Sequence, residues 1–498
     1  MPLLAAFERT GIRFCLVRHE GAAGFMADAA HQLTGAPGVC ISTLGPGATN
    51  LLTGVTGAHL ERSRLLAIAG QCGPDIEPVY THQIIDQLAM FRPVTRYADA
   101  LRAPTAGAQL SLALRALDQQ RPGPVYLEVS APVARAACSP AWQDTPPAAA
   151  QPDTAATQAL LAAARRPLVL AGCGDLRDET AQALHRFATA GRVPVMTSYR
   201  AKGLLDEASP WSVGAAGLSP VVDEHQQRLL AEADLIILLG LDPVELRPNW
   251  LPGWPTTTPT ISIDPYGQPD LLVPLSADLR GDSVSILGAL SAQGQWDRDT
   301  LDAHRATIDA LFEDGPLGPA SAVRAVQRAL DGREAVVSLD VGAHRITASH
   351  VWRSSRPRRL LQSNGFSSMG VGLPMAIGAR LARPDLPSIA LTGDMGLWMT
   401  TGELGTAAEQ GLDLVVVYLA DDALSLIALK QERSGQTQGG GVTFTNPDPI
   451  HLAAAFGGTG HRVRGAAAIE QAVRTALSTG GLHLIEARID PAAYRRQM

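Results

Sequence analysis

The chain has 498 residues, 46% hydrophobic and 18% charged, with Gly 48 and Pro 35; that is enough for about three domains with their own cores and too apolar for disorder. Its 41 basic and 48 acidic residues leave a net charge of -7, so small molecules, rather than nucleic acid or anionic membrane, are the expected partners. Five scattered cysteines (Cys15, Cys40, Cys72, Cys138, Cys173) form no Cys-x-x-Cys pair, no apolar run approaches the roughly 20 residues of a membrane span, and no signal-peptide pattern opens the chain; the expectation is a cytoplasmic protein.

In chain order, Arg13 to Val17 reads as a strand, Gly21 to Leu33 as a helix and Gly38 to Thr43 as a strand. Ala48 to Leu60 is a further helix, and Leu65 to Ala69 and Val125 to Val129 are strands. Short β-rich runs alternating with amphipathic stretches predict βαβ units. This first domain is placed at 1–138, followed at 139–157 by a linker rich in Ala, Pro, Gln and Thr. A central domain at 158–294 carries strands at Pro167 to Ala171, Val193 to Thr197, Leu235 to Leu239 and Thr260 to Ile263. A second connector, 295–319, holds a polar helix from Asp297 to Phe312 and a Gly/Pro cluster. The third domain, 320–498, has strands at Ala335 to Ser338, Ser388 to Leu391, Leu414 to Leu419 and Leu482 to Ala487. The first and third domains look like two versions of one layout. The expected fold class is α/β, with three doubly wound parallel-sheet domains.

Ligands of such sheets collect beyond the carboxyl ends of the strands. There the third domain places Gly393-Asp394-Met395-Gly396 and, 27 residues after Asp394, Asp421. Two carboxylates at consecutive strand ends, with loop carbonyls nearby, suit Mg²⁺, which shares its coordination with phosphate oxygens. Gly393 and Gly396 let backbone N–H groups approach such a phosphate. Taken singly, each feature is equally a turn or a helix cap.

Four segments together resemble the thiamine diphosphate-dependent family of acetolactate synthases and 2-oxo-acid decarboxylases. They are Arg18-His19-Glu20-Gly21-Ala22-Ala23, Gly45-Pro46-Gly47-Ala48-Thr49-Asn50, Gly365-Phe366-Ser367-Ser368-Met369-Gly370, and Gly393-Asp394 leading to Ala420-Asp421. The resemblance implies pyrimidine-binding, central and diphosphate-binding domains, and a 2-oxo acid decarboxylated and then protonated or ligated to a second carbonyl. It makes Glu20 the catalytic acid facing the aminopyrimidine. Met369 supports the bent cofactor and the Ser367 carbonyl accepts from its amino group. Gly342, Ala343 and His344, with Gly393, Met395 and Gly396, contact the diphosphate, while Asp394, Asp421 and the Ala423 carbonyl hold Mg²⁺. Gln71, His82 and Gln83 line the substrate side. A homodimer or homotetramer is implied, with the cofactor between subunits.

Several positions depart from the family pattern. Met395 stands where its motif has glycine, and Ala420-Asp421 where it has Asn-Asn. Where flavin-containing acetolactate synthases carry an Arg and an acidic pair, this chain has Gly240-Leu241-Asp242-Pro243-Val244-Glu245, and Ala131 and Lys430 replace a lysine and an aromatic residue; neither an acetolactate synthase in the strict sense nor FAD is expected. Met1 falls beyond the family's usual first helix and strand, so the pyrimidine-binding domain is expected to be N-terminally truncated. These departures leave open a catalytically weak binding or regulatory homologue. A dinucleotide-dependent dehydrogenase is disfavoured, because no Gly-x-Gly-x-x-Gly follows a strand with an acidic ribose partner.

Overall fold

Apolar runs without alternation become inner strands of parallel sheets, because both of their faces are covered. Leu235–Leu239 and Leu414–Ala420 show this, each buried along its whole length. The computed structural model describes residues 2–73, 79–118, 121–138, 152–267, 273–436 and 441–498; residues 139–151 of the expected linker lie outside them.

Three all-parallel sheets are formed by the described residues. The first contains β1 (Gly38–Ser42), β2 (Leu65–Gln71), β3 (Tyr97–Ala100) and β4 (Val125–Ser130), in the order β1-β2-β4-β3. The second contains β5 (Pro167–Ala171), β6 (Val195–Ser198), β7 (Ser212–Ala216), β8 (Leu235–Leu239), β9 (Thr260–Asp264) and β10 (Ala277–Arg280), in the order β10-β9-β8-β5-β6-β7. The third contains β11 (Val336–Leu339), β12 (Leu360–Gln362), β13 (Ser388–Gly393), β14 (Leu414–Ala420), β15 (Thr459–Arg464) and β16 (Leu482–Arg488), in the order β12-β11-β13-β14-β16-β15. The last four strands of that order repeat the order of the first sheet. The likeness of the first and third domains is therefore topological, and the third sheet continues past β13 with two further strands.

One expected strand is absent. Arg13 to Val17 runs without a ladder partner among the described residues. Its alternating apolar side chains face solvent, with Ile12 55%, Phe14 45% and Leu16 60% exposed. β1 is bonded to β2 alone and is the edge of its sheet; nothing carries the ladder from β1 to the 12–17 segment. The second expected connector contains the helix Arg298–Leu311, whose Leu301 joins the central core and whose Ile308 joins the core of the third domain.

The first and third domains share apolar contacts. Ala22 and Met26 of the helix Glu20–Thr34 pack with Leu373, Ala376 and Ile377 of the helix Gly372–Ala382. The backbones approach so closely at Gly378 that a Cβ there would lie 2.7 Å from Met26 Cα. Gly24 meets Gly54 of the helix Pro46–Leu60 in the same way, a Cβ on either lying 2.7 Å from the other's Cα. These contacts tie Glu20, at the start of its helix, to the sheet that carries Asp394 and Asp421.

Candidate active site

β13 and β14 run in register from Ser388 opposite Leu414 to Gly393 opposite Leu419, which brings the residues just beyond them together. Asp394 is buried. Its Oδ1 accepts from Met395 N (2.9 Å), and its Oδ2 accepts from Asp422 N (2.9 Å), Asp421 N (3.2 Å) and Asn446 Nδ2 (3.0 Å). Burial raises its carboxyl, opposed by these bonds. Asp421 is pushed up to about 6 by burial, with the charge of Asp394 adding to the effect and the Ser425 hydroxyl opposing it. Arg488, the cation at this edge, is paired with Asp422 at 2.6 Å. Ala423 forms an antiparallel bridge with Thr443 that holds the segment after β14. Among the described residues no group of three or more His, Cys, Asp or Glu side chains could hold a metal.

His344 lies at the end of β13, between two glycines. A Cβ on Gly342 or Gly393 would come within 2.8 or 3.0 Å of its ring. The ring is buried, its Nε2 has no hydrogen-bond partner, and burial holds its pKa down at about 3, so it is neutral. An orphaned imidazole nitrogen in a glycine cradle at the end of β13 fits a phosphate group. Gly396 has a further reason to be glycine, because a Cβ there would overlap Asp340 Oδ2.

Asp340 organises the next loop. Its fully buried carboxylate accepts from Val341 N (2.7 Å), Gly370 N (2.9 Å) and Val371 N (3.3 Å). Burial pushes it up to about 6 despite these bonds. Ser367 is left-handed at φ 53°, a conformation that an L-residue keeps only where its surroundings impose it. Here its Oγ donates to Asn364 O (3.0 Å) and accepts from Arg345 Nη1 (3.3 Å). Met369, half-buried, sits between Ser367 and the Gly370 anchor.

Glu20 is the first residue of its helix, capped by His19, whose Nδ1 accepts from Gly21 N at 3.1 Å. It therefore opens a helix and does not end a strand. Its half-buried carboxylate accepts from Asn50 Nδ2 at 3.0 Å, and its Oε1 faces Gly47, where a Cβ would stand 3.3 Å away. Glu403 of the third domain fixes the turn before it, its Oε1 accepting from Arg18 N (3.0 Å) and His19 N (2.9 Å). Sequence reading passes over Glu403, whose partners lie 385 and 384 residues away.

Gln71 ends β2, and its amide donates to Glu128 Oε2 at 3.3 Å. It lines a cavity of about 870 Å³ at the ends of β2, β3 and β4, together with Cys72, Gln87, Arg102, Glu128 and Ser130. His82 and Gln83 are exposed and are not part of that lining; the Gln83 carbonyl instead lies against Gly45, 2.7 Å from where a Cβ would be. Gln87, another residue missed in the sequence, connects the two places. Its Oε1 accepts from Gly45 N (2.7 Å), and its Nε2 donates to Gly70 O and Glu128 Oε1, each at 3.2 Å.

Family models agree with this architecture domain by domain. The N-terminal thiamine pyrophosphate (TPP) binding domain matches residues 1–90, the TPP enzyme central domain 154–269, and the C-terminal TPP binding domain 340–487. The chain belongs to the thiamine pyrophosphate enzyme family. It is 31% identical to a catabolic acetolactate synthase of Raoultella terrigena, over 97% of this chain and 89% of that protein. It is 32% identical to a probable 2-ketoarginine decarboxylase of Pseudomonas aeruginosa (98% and 89%) and 29% identical to the acetolactate synthase isozyme 1 large subunit of Escherichia coli (98% and 88%). Within its family the chain is acetolactate synthase-like, and its chemistry is thiamine pyrophosphate-dependent decarboxylation or carboligation of 2-oxo acids.

Proposed function

We propose that the chain is a Mg²⁺- and thiamine diphosphate-dependent 2-oxo-acid decarboxylase or carboligase, and that the residues just described carry the reaction. The observation that supports this most is the pairing of buried Asp394 with half-buried Asp421 at neighbouring strand ends, where the charge of Asp394 acts on Asp421 and a cation would relieve it. Oxygen ligands at the end of a parallel sheet suit Mg²⁺ shared with a diphosphate. Asp394, Asp421 and the Ala423 carbonyl would hold the metal, and Gly342, Ala343, His344, Gly393, Met395 and Gly396 the diphosphate. Bound there, thiamine diphosphate supplies the carbanion chemistry that lets CO₂ leave a 2-oxo acid. Glu20 holds the proton opposite the aminopyrimidine, Asn50 fixing one of its oxygens so that the other stays directed at the Gly47 side. The Ser367 carbonyl orients the amino group, and Met369 supports the bend. Gln71 faces the substrate from its cavity, and His82 and Gln83, outside that cavity, would reach it only from the Gly45 side.

A second copy of the chain completes the site in this reading. Phe366, Met399 and Ile427 stand 38%, 61% and 44% exposed next to the loops that would hold the cofactor, and burying such residues against a second subunit would exclude water. In this reading the central domain works without flavin, on the departure of Gly240 to Glu245 from the family pattern. At the switch point between β5 and β8 a Cβ on Gly172 would lie 2.6 Å from Gly240 O, and one on Gly174 2.9 Å from Gly240 Cα. Gly172 also abuts Glu245 Oε2, so the segments after β5 and β8 are in close contact at that point. We place the enzyme in the cytoplasm, consistent with five unpaired cysteines; no described helix is long and apolar enough to cross a membrane.

The deciding experiment titrates cofactor-stripped protein with thiamine diphosphate, with and without Mg²⁺. CO₂ and acetolactate are then followed over a panel of 2-oxo acids that includes 2-ketoarginine. Metal-dependent binding with CO₂ release is expected, from a dimer or tetramer without flavin absorbance. Binding without release from any acid would favour the catalytically weak homologue, and absence of binding would refute the site.

A further inference from the structure

Glu61 caps the carboxyl end of the helix Pro46–Leu60 and is 3% exposed, yet its carboxylate serves two other domains. Its Oε1 accepts from the backbone N–H groups of Asn364 and Gly365 (3.0 Å for the latter) and from Ser363 Oγ (3.2 Å). Its Oε2 lies 2.8 Å from Arg200 Nη1, and the same guanidinium nitrogen donates to the Glu61 carbonyl at 2.9 Å. Arg200 follows β6 of the central domain and is itself buried. Gly365 is seated against both neighbours, a Cβ there lying 2.7 Å from Leu60 Cβ and 3.1 Å from Val244 Cγ2.

The other side-chain hydrogen bonds that hold residues 363–370 come from within the third domain, Arg345 on the Ser363 carbonyl and Ser367 hydroxyl, and Asp340 on Gly370 N. Without the Glu61 carboxylate, the buried N–H of Asn364 and the half-buried N–H of Gly365 would lose their acceptor, and buried Arg200 would lose its ion-pair partner.

We infer that Glu61 is a positioning residue that, braced by Arg200, sets the loop carrying Ser367 and Met369 from outside the diphosphate-binding domain. This rests on the thiamine diphosphate reading of the site. The pyrimidine end of the cofactor therefore depends on how the three domains dock, and the diphosphate end, held by Gly342 to His344 and Asp394, does not.

The two ends separate by calorimetry on the full-length protein with Mg²⁺, using thiamine diphosphate in one titration and inorganic diphosphate in another. Glu61→Gln keeps the size of the side chain and is expected to weaken thiamine diphosphate about tenfold while leaving inorganic diphosphate within about twofold. Arg200→Lys keeps the charge without the planar fork and is expected to change the ratio in the same direction, which carries the test if the glutamine variant does not fold. Equal weakening of both ligands, as a general loss of structure would give, overturns the inference, and so does a wild-type ratio in both variants. A wild-type protein that binds inorganic diphosphate but not thiamine diphosphate refutes the proposed function instead, and this inference falls with it.

Discussion

Glu20→Gln changes one proton-bearing group and little else. The Glu20 carboxylate makes one hydrogen bond, from Asn50 Nδ2 at 3.0 Å, which a glutamine oxygen can also accept, and the half-buried side chain faces Gly47 on its other side. The melting midpoint should thus correspond to a change within about 0.5 kcal/mol. A carboxamide cannot hold or pass a proton, so CO₂ release at saturating thiamine diphosphate should fall roughly 10² to 10⁴-fold. Cofactor affinity should change far less, because metal and diphosphate are held by the other domain. Asn50→Ala, which frees the carboxylate to rotate while keeping its proton, should lose about tenfold in rate. The necessary measurements are single-turnover CO₂ release, a thiamine diphosphate titration and a thermal melt on each variant. Wild-type turnover in Glu20→Gln, or turnover lost only in proportion to cofactor affinity, would refute the assigned role.

Asp394→Asn turns an amide towards donors at Asp421 N, Asp422 N and Asn446 Nδ2; the unliganded protein should lose about 1–3 kcal/mol, and the rise in melting midpoint on adding Mg²⁺ with inorganic diphosphate should vanish. Gly378→Val drives a side chain into the Met26 backbone and should cost at least about 1–3 kcal/mol by overpacking, seen as a lower denaturant midpoint together with lost activity. Burial pushes Glu245 from the usual 4.5 up to about 7. Its folded pKa being the higher one, its contribution to stability is full below about pH 4.5 and lost as pH rises through about 7, roughly 3 kcal/mol in all. Glu245→Gln should flatten that part of the stability profile, and an unchanged slope would count against the shift.

Most of the inner architecture is legible because an inner strand records its burial on both faces. Leu235 to Leu239 and Pro167 to Ala171 are strands with the bounds their apolar runs predict. The strands that escape sequence reading, β3, β7, β10, β12 and β15, are all outer ones. Bonded on one side, they are short or interrupted by polar residues, as in Thr459–Arg464, and lack the uniform run. Arg13 to Val17 shows the converse: alternation alone predicts a strand, but a strand also needs a neighbour to bond. In the site, Asp394 and Asp421 are found because strand ends are where chemistry collects. Glu403, Gln87 and Glu61 are not, since each is a polar residue defined by partners tens to hundreds of positions away, a relation that no local period encodes.

The shared strand order of the first and third sheets divides labour between two copies of one layout. In the third copy the ends of β13 and β14 bear Asp394 and Asp421, and Arg488 at the end of β16 pairs with Asp422; in the proposed function Asp394 and Asp421 serve a metal and a diphosphate that every turnover shares. In the first copy the ends of β2 and β4, the counterparts of β14 and β16, open into the cavity with Gln71 and Glu128, where, in the proposed function, the part of a substrate that varies beyond its 2-oxo acid group would sit. Altered substrate range should therefore accumulate, by selection or by library design, at the strand ends of the first copy, while their counterparts in the third stay fixed.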